Sequence, residues 1–152
     1  MNMFFKNLFQ EIKDVIIPLY KILIPFIFII KLLEITGIVD LIAKFFSPLM
    51  GLIGLPSELG IIWVTAIVVN IYAALILFVN IVPSLDVSIA QITILTVAML
   101  LCHNLLVESA ISKSAGVSFL FTSFYRLISA FLVCWFLNLI YSKFNYLNEP
   151  FS

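Results

Sequence analysis

Charged residues are scarce in this sequence of 152 residues, because Lys, Arg, Asp and Glu together make up only 11% of it. A soluble domain is about 25% charged, so this chain has too little charge to cover a globular surface. That scarcity excludes a soluble enzyme and a disordered chain. Eight basic residues balance eight acidic ones, which leaves no basic surface for nucleic acid.

Residues that build metal sites and nucleotide sites are also few. The chain has one histidine and two cysteines, Cys102 and Cys134, which lie in or beside apolar runs. This pattern predicts neither a disulfide framework nor a zinc site. No glycine-rich phosphate-binding motif occurs among the five glycines. We therefore expect no metal, no cofactor and no enzymatic activity.

Apolar residues, in contrast, are abundant: they make up 64% of the chain and include 15 Phe. A helix that spans a bilayer needs about 20 mainly apolar residues. The chain is long enough for several such helices. The composition therefore predicts an all-α integral membrane protein.

The apolar runs predict three to four spanning helices. Residues 1–14 place apolar side chains at helical spacing beside several charges, which predicts an interfacial segment. The first span follows at 15–33, and the last covers 117–141, ahead of a short polar tail at 142–152. We expect one transmembrane domain over 15–141.

Two further apolar stretches each have two interpretations. Residues 35–55 carry Asp40 and Lys44 on one face and aromatic residues on the other, which favours an in-plane helix over a further span. Residues 59–82 hold Asn70 near their middle. They form either one spanning helix or a re-entrant hairpin that turns near Asn70. The lack of Gly or Pro at that turn counts against the hairpin.

The sharpest change in polarity follows the apolar run 87–101. Asn104, Glu108 and Ser112 lie at i,i+4 spacing and form one polar stripe on a helix, with His103 beside it. A charged side chain at the bilayer centre costs about 2.5–3.5 kcal/mol on insertion scales, so such a stripe should face protein, water or a solute. It is either a solute-binding stripe or a helix end that emerges into water.

Three other polar residues lie inside apolar runs. Asn70 either supports a hairpin tip or binding site, or makes a hydrogen bond between helices. Gln91 is predicted to be structural. Arg126 is predicted to be a snorkelling or paired charge, with Glu108 as its partner.

Short motifs in this order resemble the nucleoside-recognition (Gate) domain membrane proteins. The motifs are Gly54-Leu55-Pro56-Ser57-Glu58, Val69-Asn70-Ile71-Tyr72, His103-Asn104-Leu105-Leu106-Val107-Glu108 and Lys113-Ser114-Ala115-Gly116. The chain is similar to the short stand-alone members, such as the spore maturation proteins A and B and the YjiG-type inner membrane proteins. The resemblance covers most of the chain, over 15–141.

This resemblance implies a unit like half of a concentrative nucleoside transporter. In those transporters a re-entrant hairpin and a broken helix from each of two inverted repeats meet around the solute. The resemblance implies Asn70 near the hairpin tip, and His103, Asn104 and Glu108 at the helix break, as substrate-binding residues. This chain departs from the transporters because it lacks their Gln-Thr-Glu type of hairpin tip and holds one repeat.

We therefore expect a transport component for a small polar solute, nucleoside-like or otherwise. The expected location is the bacterial plasma (inner) membrane, as a multi-pass protein. The expected partners are the lipid bilayer and either a second copy or a second Gate-type subunit. The alternative is a non-transporting membrane scaffold of the spore-maturation type. If the cell makes this chain together with a second Gate-type protein, transport is favoured. If it makes the chain without one, the scaffold is favoured.

Overall fold

The chain is mostly helical over the residues that the structure describes. The structure is a computed structural model and describes residues 2–144, 147 and 149–151. No β-strand occurs in this part of the chain, so the all-α prediction is confirmed for it. The helices are α1 (Asn2–Ile35), α2 (Ile38–Met50), α3 (Gly60–Val68), α4 (Ile71–Ile81), α5 (Ile89–Leu101), α6 (Leu105–Ser114) and α7 (Phe119–Phe144). Short 3₁₀ turns lie at Gly51–Ile53, Ser57–Leu59 and Val82–Ser84.

Two helical stretches among the described residues are long and apolar enough to cross a membrane. One is Ile89–Ser114, counted through the break between α5 and α6, and the other is α7. At 1.5 Å per residue α7 is about 39 Å long, more than the ~30 Å hydrocarbon core of a bilayer. Ser57–Val68 and Ile71–Ser84 are apolar but shorter. The total of three to four spans stays a prediction.

The N-terminal helix α1 is continuous over 34 residues. The predicted interfacial segment 1–14 and the predicted first span from residue 15 therefore belong to one helix, without a helix end between them. α1 also runs through Pro18 and Pro25. Proline is tolerated inside such a helix when neighbouring groups satisfy the backbone carbonyl that it frees. Met1 lies outside the described residues.

The stretch 59–82 is two short helices that meet at a turn. The carbonyl oxygen of Thr65 accepts the N–H groups of both Val69 and Asn70, at 2.9 and 3.1 Å, which ends α3. Asn70 is extended, with φ −173°, and its Oδ1 accepts the N–H of Ala73 at 2.8 Å. Asn70 is thus the N-cap of α4, and a capping asparagine starts a new helix without Gly or Pro.

The two arms α3 and α4 are antiparallel. Ile61 and Thr65 of α3 line one groove together with Ala73 and Leu77 of α4. In one straight helix Ile61 and Leu77 would lie about 24 Å apart. The chain therefore forms a helical hairpin here, rather than the straight span that was the other interpretation of this sequence.

The α5–α6 pair is one helical path with a break. Ser88 starts α5 through a capping box, in which its hydroxyl accepts the Gln91 N–H and the Gln91 side chain accepts the Ser88 N–H. α5 ends at Leu101, and Asn104 takes a left-handed backbone conformation with φ 46°. Asparagine adopts this conformation more readily than most residues. Because a left-handed residue does not continue a right-handed helix, Asn104 separates α5 from α6.

Two long-range hydrogen bonds hold the first hairpin arm against the broken helix. The indole N–H of Trp63 donates to the Ala98 carbonyl at 3.0 Å. The Asn104 N–H donates to the Ala66 carbonyl at 2.9 Å. Because the contacts advance together along both segments, α3 runs in the same direction as α5. The hairpin turn and the helix break therefore lie at the same end of this pair.

Aromatic packing around Trp63 joins two more helices, α2 and α7, to this pair. The Trp63 ring is fully buried and meets Phe131 of α7 with centroids 4.9 Å apart. Phe46 of α2 lies 5.9 Å from the same ring, edge to face. Edge-to-face aromatic pairs contribute about 0.5–1.5 kcal/mol beyond the area they bury. This cluster positions α2, α3 and α7 around α5.

α2 buries Val39, Ala43 and Met50. Leu41 and Phe45, which belong to the predicted apolar face, are exposed together with Asp40 and Lys44. The 13 residues of α2 extend about 20 Å, less than the ~30 Å of a bilayer core. The length favours the in-plane interpretation, which stays a prediction.

The C-terminal residues form a tail segment, defined here as Leu147 and residues 149–151. The tail was predicted at 142–152, but it starts after Phe144, because α7 continues to that residue. Residues 145, 146, 148 and 152 lie outside the described residues. The Leu147 and Glu149 carbonyls accept the N–H groups of Ala90 and Ile89, at 2.9 and 3.0 Å. These are two of the backbone N–H groups in the first turn of α5, which have no partner within the helix. The tail segment therefore supplies the hydrogen-bond acceptors that they need.

Candidate functional site

The residues predicted as a site lie on two neighbouring structural interruptions. Asn70 forms the hairpin turn, whereas His103 and Asn104 form the α5–α6 break and Glu108 lies in the first turns of α6. The Asn104 N–H bonds the Ala66 carbonyl, and Ala66 is one helical turn before Asn70. The fold thus brings the two interruptions together.

Asn70 is half-buried and has a structural task. Its Oδ1 accepts the Ala73 N–H, which caps α4. Among the described residues its Nδ2 makes no hydrogen bond. The amide thus retains two donor hydrogens for a solute, water or a partner chain.

His103, Glu108 and Arg126 form a charge cluster beside the break. Arg126 Nη1 is buried and pairs with Glu108 Oε2, and Arg126 Nε donates to the Leu101 carbonyl at 3.3 Å. His103 Nε2 lies 3.4 Å from Glu108 Oε1. We call His103, Glu108 and Arg126 the charge cluster. The predicted pairing of Arg126 with Glu108 is confirmed.

The charge cluster is reachable from outside the protein. The side chains of His103 and Glu108 are 27% and 39% exposed, whereas that of Arg126 is 17% exposed. The cluster therefore presents an imidazole edge and a carboxylate outward and keeps the guanidinium inside. Arg126 reaches it from α7 and also bonds the last carbonyl of α5, so it fixes three helices at one point.

The predicted polar stripe is only partly available to a ligand. The Ser112 hydroxyl donates to the Glu108 backbone carbonyl at 2.9 Å, inside α6. The Glu108 N–H bonds the Asn104 carbonyl at 3.0 Å. One turn away, the buried Ser109 hydroxyl accepts from Ser123 of α7 at 2.8 Å. Glu108 is the stripe residue that offers a charged side chain.

A second polar region lies at the opposite end of α5, where sequence reasoning indicated only Gln91. Gln91 Nε2 donates to the Gly54 carbonyl at 3.0 Å, in agreement with its predicted structural role. Gly54, Gln91 and Asn138 line a cavity of about 680 Å³, together with Asp86 and Ser142. The signal for this region in the sequence was the Ser88-x-x-Gln91 capping box, which marks the start of α5.

Trp63 and Ala66 were not predicted from the sequence as parts of this arrangement. Both act through long-range hydrogen bonds, with the Ala98 carbonyl and the Asn104 N–H. Both lie in the apolar run 59–82, where tryptophan and alanine are ordinary residues of a membrane helix. Their sequence context therefore gave no signal of a long-range hydrogen bond. Among the described residues no group of three His, Cys, Asp or Glu side chains is placed to hold a metal.

Comparison with known proteins agrees with a membrane setting. Over 97 residues the chain is 32% identical to the uncharacterized membrane protein YvoD of Bacillus subtilis (strain 168). The chain is similar to a bacterial membrane protein. The match covers 64% of this chain and 30% of the relative, so the relative is a little more than twice as long. No family model and no solved structure matches the chain.

Proposed function

We propose that this chain is one unit of a membrane assembly that transports a small polar solute in the bacterial plasma membrane. The supporting observation is the meeting of two helix interruptions, at Asn70 and at Asn104, inside apolar segments. In hydrocarbon, non-helical backbone is tolerated only where it is buried in protein or lines a water-filled cavity. Transporters place solute sites at such discontinuous helices.

The proposed solute path is lined by Asn70, His103, Asn104 and Glu108. Their chemistry suits a polar solute with both donors and acceptors, since Asn70 offers amide hydrogens and Glu108 a carboxylate. The resemblance to Gate domain proteins makes a nucleoside-like molecule the first solute class to test. We further propose that a second copy, or a second subunit of the same type, supplies the other half of the path. The relative's length, which leaves room for two such units, supports this.

A ligand-stabilisation experiment tests the solute proposal. The purified chain in mild detergent is unfolded by heat with and without uridine or adenosine as probes, because a ligand that binds the folded state raises its Tm. We expect a probe to raise the Tm of the wild type and of Lys143→Ala, which changes an exposed residue at the end of α7. We expect a smaller rise for Glu108→Gln. Lower stability with unchanged binding per folded molecule would remove Glu108 from the site.

The assembly proposal has its own measurement. A polar stripe facing lipid is costly, so the chain should run as a dimer or with a second membrane subunit in mild detergent and in lipid discs. Mass measurement of the particles over a range of concentrations decides this. A monomer at every concentration, in lipid as well as in detergent, contradicts the proposal.

A membrane scaffold without transport is the second candidate function. The observation that favours it is the internal pairing of Glu108 with Arg126 and His103. If Glu108 serves only this pairing, Glu108→Gln and Arg126→Gln should each lower stability, because each leaves a charge without its partner. The combined change should recover much of the loss. Recovery of stability in the double variant, together with no effect of either probe on the Tm of the wild type, favours the scaffold.

A further inference from the structure

The hydrogen-bond partners of His103 define where its ring carries a hydrogen. His103 Nδ1 lies 3.0 Å from the carbonyl oxygen of Leu100. A backbone carbonyl only accepts hydrogen bonds, so Nδ1 must be the donor and carry a hydrogen. A neutral imidazole has one N–H, and its other nitrogen is then an acceptor with a free lone pair. In the neutral ring, Nε2 of His103 is that acceptor.

The group that faces Nε2 is also an acceptor. Glu108 Oε1 lies 3.4 Å from it, and an ionised carboxylate has no hydrogen to donate. Arg126 pairs with the other carboxylate oxygen, Oε2, so the carboxylate lies between the guanidinium and the imidazole ring. Two acceptors therefore face each other at the helix break, and a hydrogen between them would convert their repulsion into a charge-assisted hydrogen bond.

We propose that His103 Nε2 and Glu108 Oε1 bind one proton between them, taken from water, and that this proton fastens the α5–α6 break. His103 belongs to the break and Glu108 to the first turns of α6, so the shared proton joins the two sides of the interruption. When the proton leaves, Glu108 keeps its pairing with Arg126 on α7 but loses its attraction to the break. The proposal rests on this geometry and holds whether or not the chain transports a solute.

The charged groups around the ring come from different helices. Glu108 on α6 faces the ring, and Arg126 on α7 pairs with the other oxygen of Glu108. Lys113, farther along α6, is exposed, and Cys102 beside His103 is a buried thiol. α3, which packs on the break, carries no titratable side chain. α1 also packs against α6 and carries the charged residues Glu11, Lys13, Asp14, Lys21 and Lys31. Among the described side chains, no ion pair joins Glu11, Lys13, Asp14 or Lys21 to the charge cluster.

The chain has a single histidine, so one isotopic label reports on this site alone. The full chain is prepared with nitrogen-15 histidine in lipid bilayers, and its ring nitrogens are followed by solid-state NMR across about pH 5 to 8, where imidazoles commonly change charge. At the alkaline end we expect a hydrogen on Nδ1 and a bare Nε2. At the acid end we expect hydrogens on both, with the Nε2 signal shifted by its bond to a carboxylate.

Two variants of nearly unchanged size complete the test. In Glu108→Gln, proton uptake by His103 should move to lower pH, because the neighbouring negative charge is gone. In Arg126→Gln it should move to higher pH, because the opposing cation is gone. An uptake curve that is identical in wild type and Glu108→Gln overturns the proposal. If Glu108→Gln does not fold, the wild-type spectrum still decides, since a neutral ring with its hydrogen on Nε2 also overturns it.

Discussion

Gly54 is the position where one added methyl group should disturb this fold most sharply. Its backbone is left-handed, with φ +77°, and a Cβ built there would overlap the amide of Asn138, with Nδ2 only 2.8 Å away. Left-handed backbone costs a residue with a Cβ roughly 1–2 kcal/mol. Asn138 borders the cavity at this end of α5, so its side chain can give way, and the extra methyl group adds up to about 1 kcal/mol, the low end of the cost of overpacking. Gly54→Ala should therefore lower the free energy of unfolding by roughly 1–3 kcal/mol.

The two contributions can be separated by a second substitution. Asn138→Ala removes the side chain that the new Cβ would meet, but leaves the left-handed backbone of Gly54 unchanged. The double variant Gly54→Ala with Asn138→Ala should therefore recover the overlap cost and retain a deficit of about 1–2 kcal/mol relative to Asn138→Ala alone. Equilibrium unfolding in mixed detergent micelles, followed by tryptophan fluorescence, gives the four free energies.

Gly51 provides the matched control, three residues earlier. A Cβ there meets nothing within 4 Å, and the backbone is right-handed with φ −59°. Gly51→Ala should thus be neutral or stabilising by about 0.4–1 kcal/mol. Equal stability of the Gly51→Ala and Gly54→Ala proteins would refute the reasoning. A cost of Gly54→Ala that is no smaller in the Asn138→Ala background than in the wild type would also refute it.

Three further predictions concern the hairpin, its contact with α5 and the tail segment. Asn70→Ala removes the N-cap of α4 and should cost about 0.5–2 kcal/mol in thermal or denaturant unfolding, whereas Asn70→Asp should retain most of the stability; equal losses would contradict the capping role. Trp63→Phe keeps an aromatic ring but loses the hydrogen bond to the Ala98 carbonyl, so unfolding should show a loss of at least about 0.5–1.5 kcal/mol, and a wild-type Tm would argue against that bond. Deletion of the tail segment should speed hydrogen exchange at the Ile89 and Ala90 amides but not in the middle of α5, and unchanged exchange at both amides would exclude the tail as their partner.

Part of the candidate site could be predicted from local spacing. Glu108 and Ser112 are four residues apart within α6, and that spacing alone placed them on one side of a helix. Asn104, predicted on the same helical stripe, instead lies before α6 with left-handed backbone. The pairing of Glu108 with Arg126 followed from the cost of an unpaired charge in an apolar run. The contact of His103 with Glu108 could not be predicted in the same way. The orientation of the imidazole ring depends on the Leu100 carbonyl at the end of α5, which His103 Nδ1 contacts.

The apolar composition by itself determined that the chain is helical and suited to a bilayer, since so few charges cannot cover a soluble surface. The start of α5 is also encoded locally, in Ser88 and Gln91, because a capping box involves only residues three apart. Only the tertiary structure decided that 59–82 is a hairpin. A straight helix and a hairpin satisfy the same local backbone preferences, and the groove shared by α3 and α4, with the bond from Asn104 to Ala66, selects between them. Those contacts join segments that are distant in the sequence, so no local pattern encodes them.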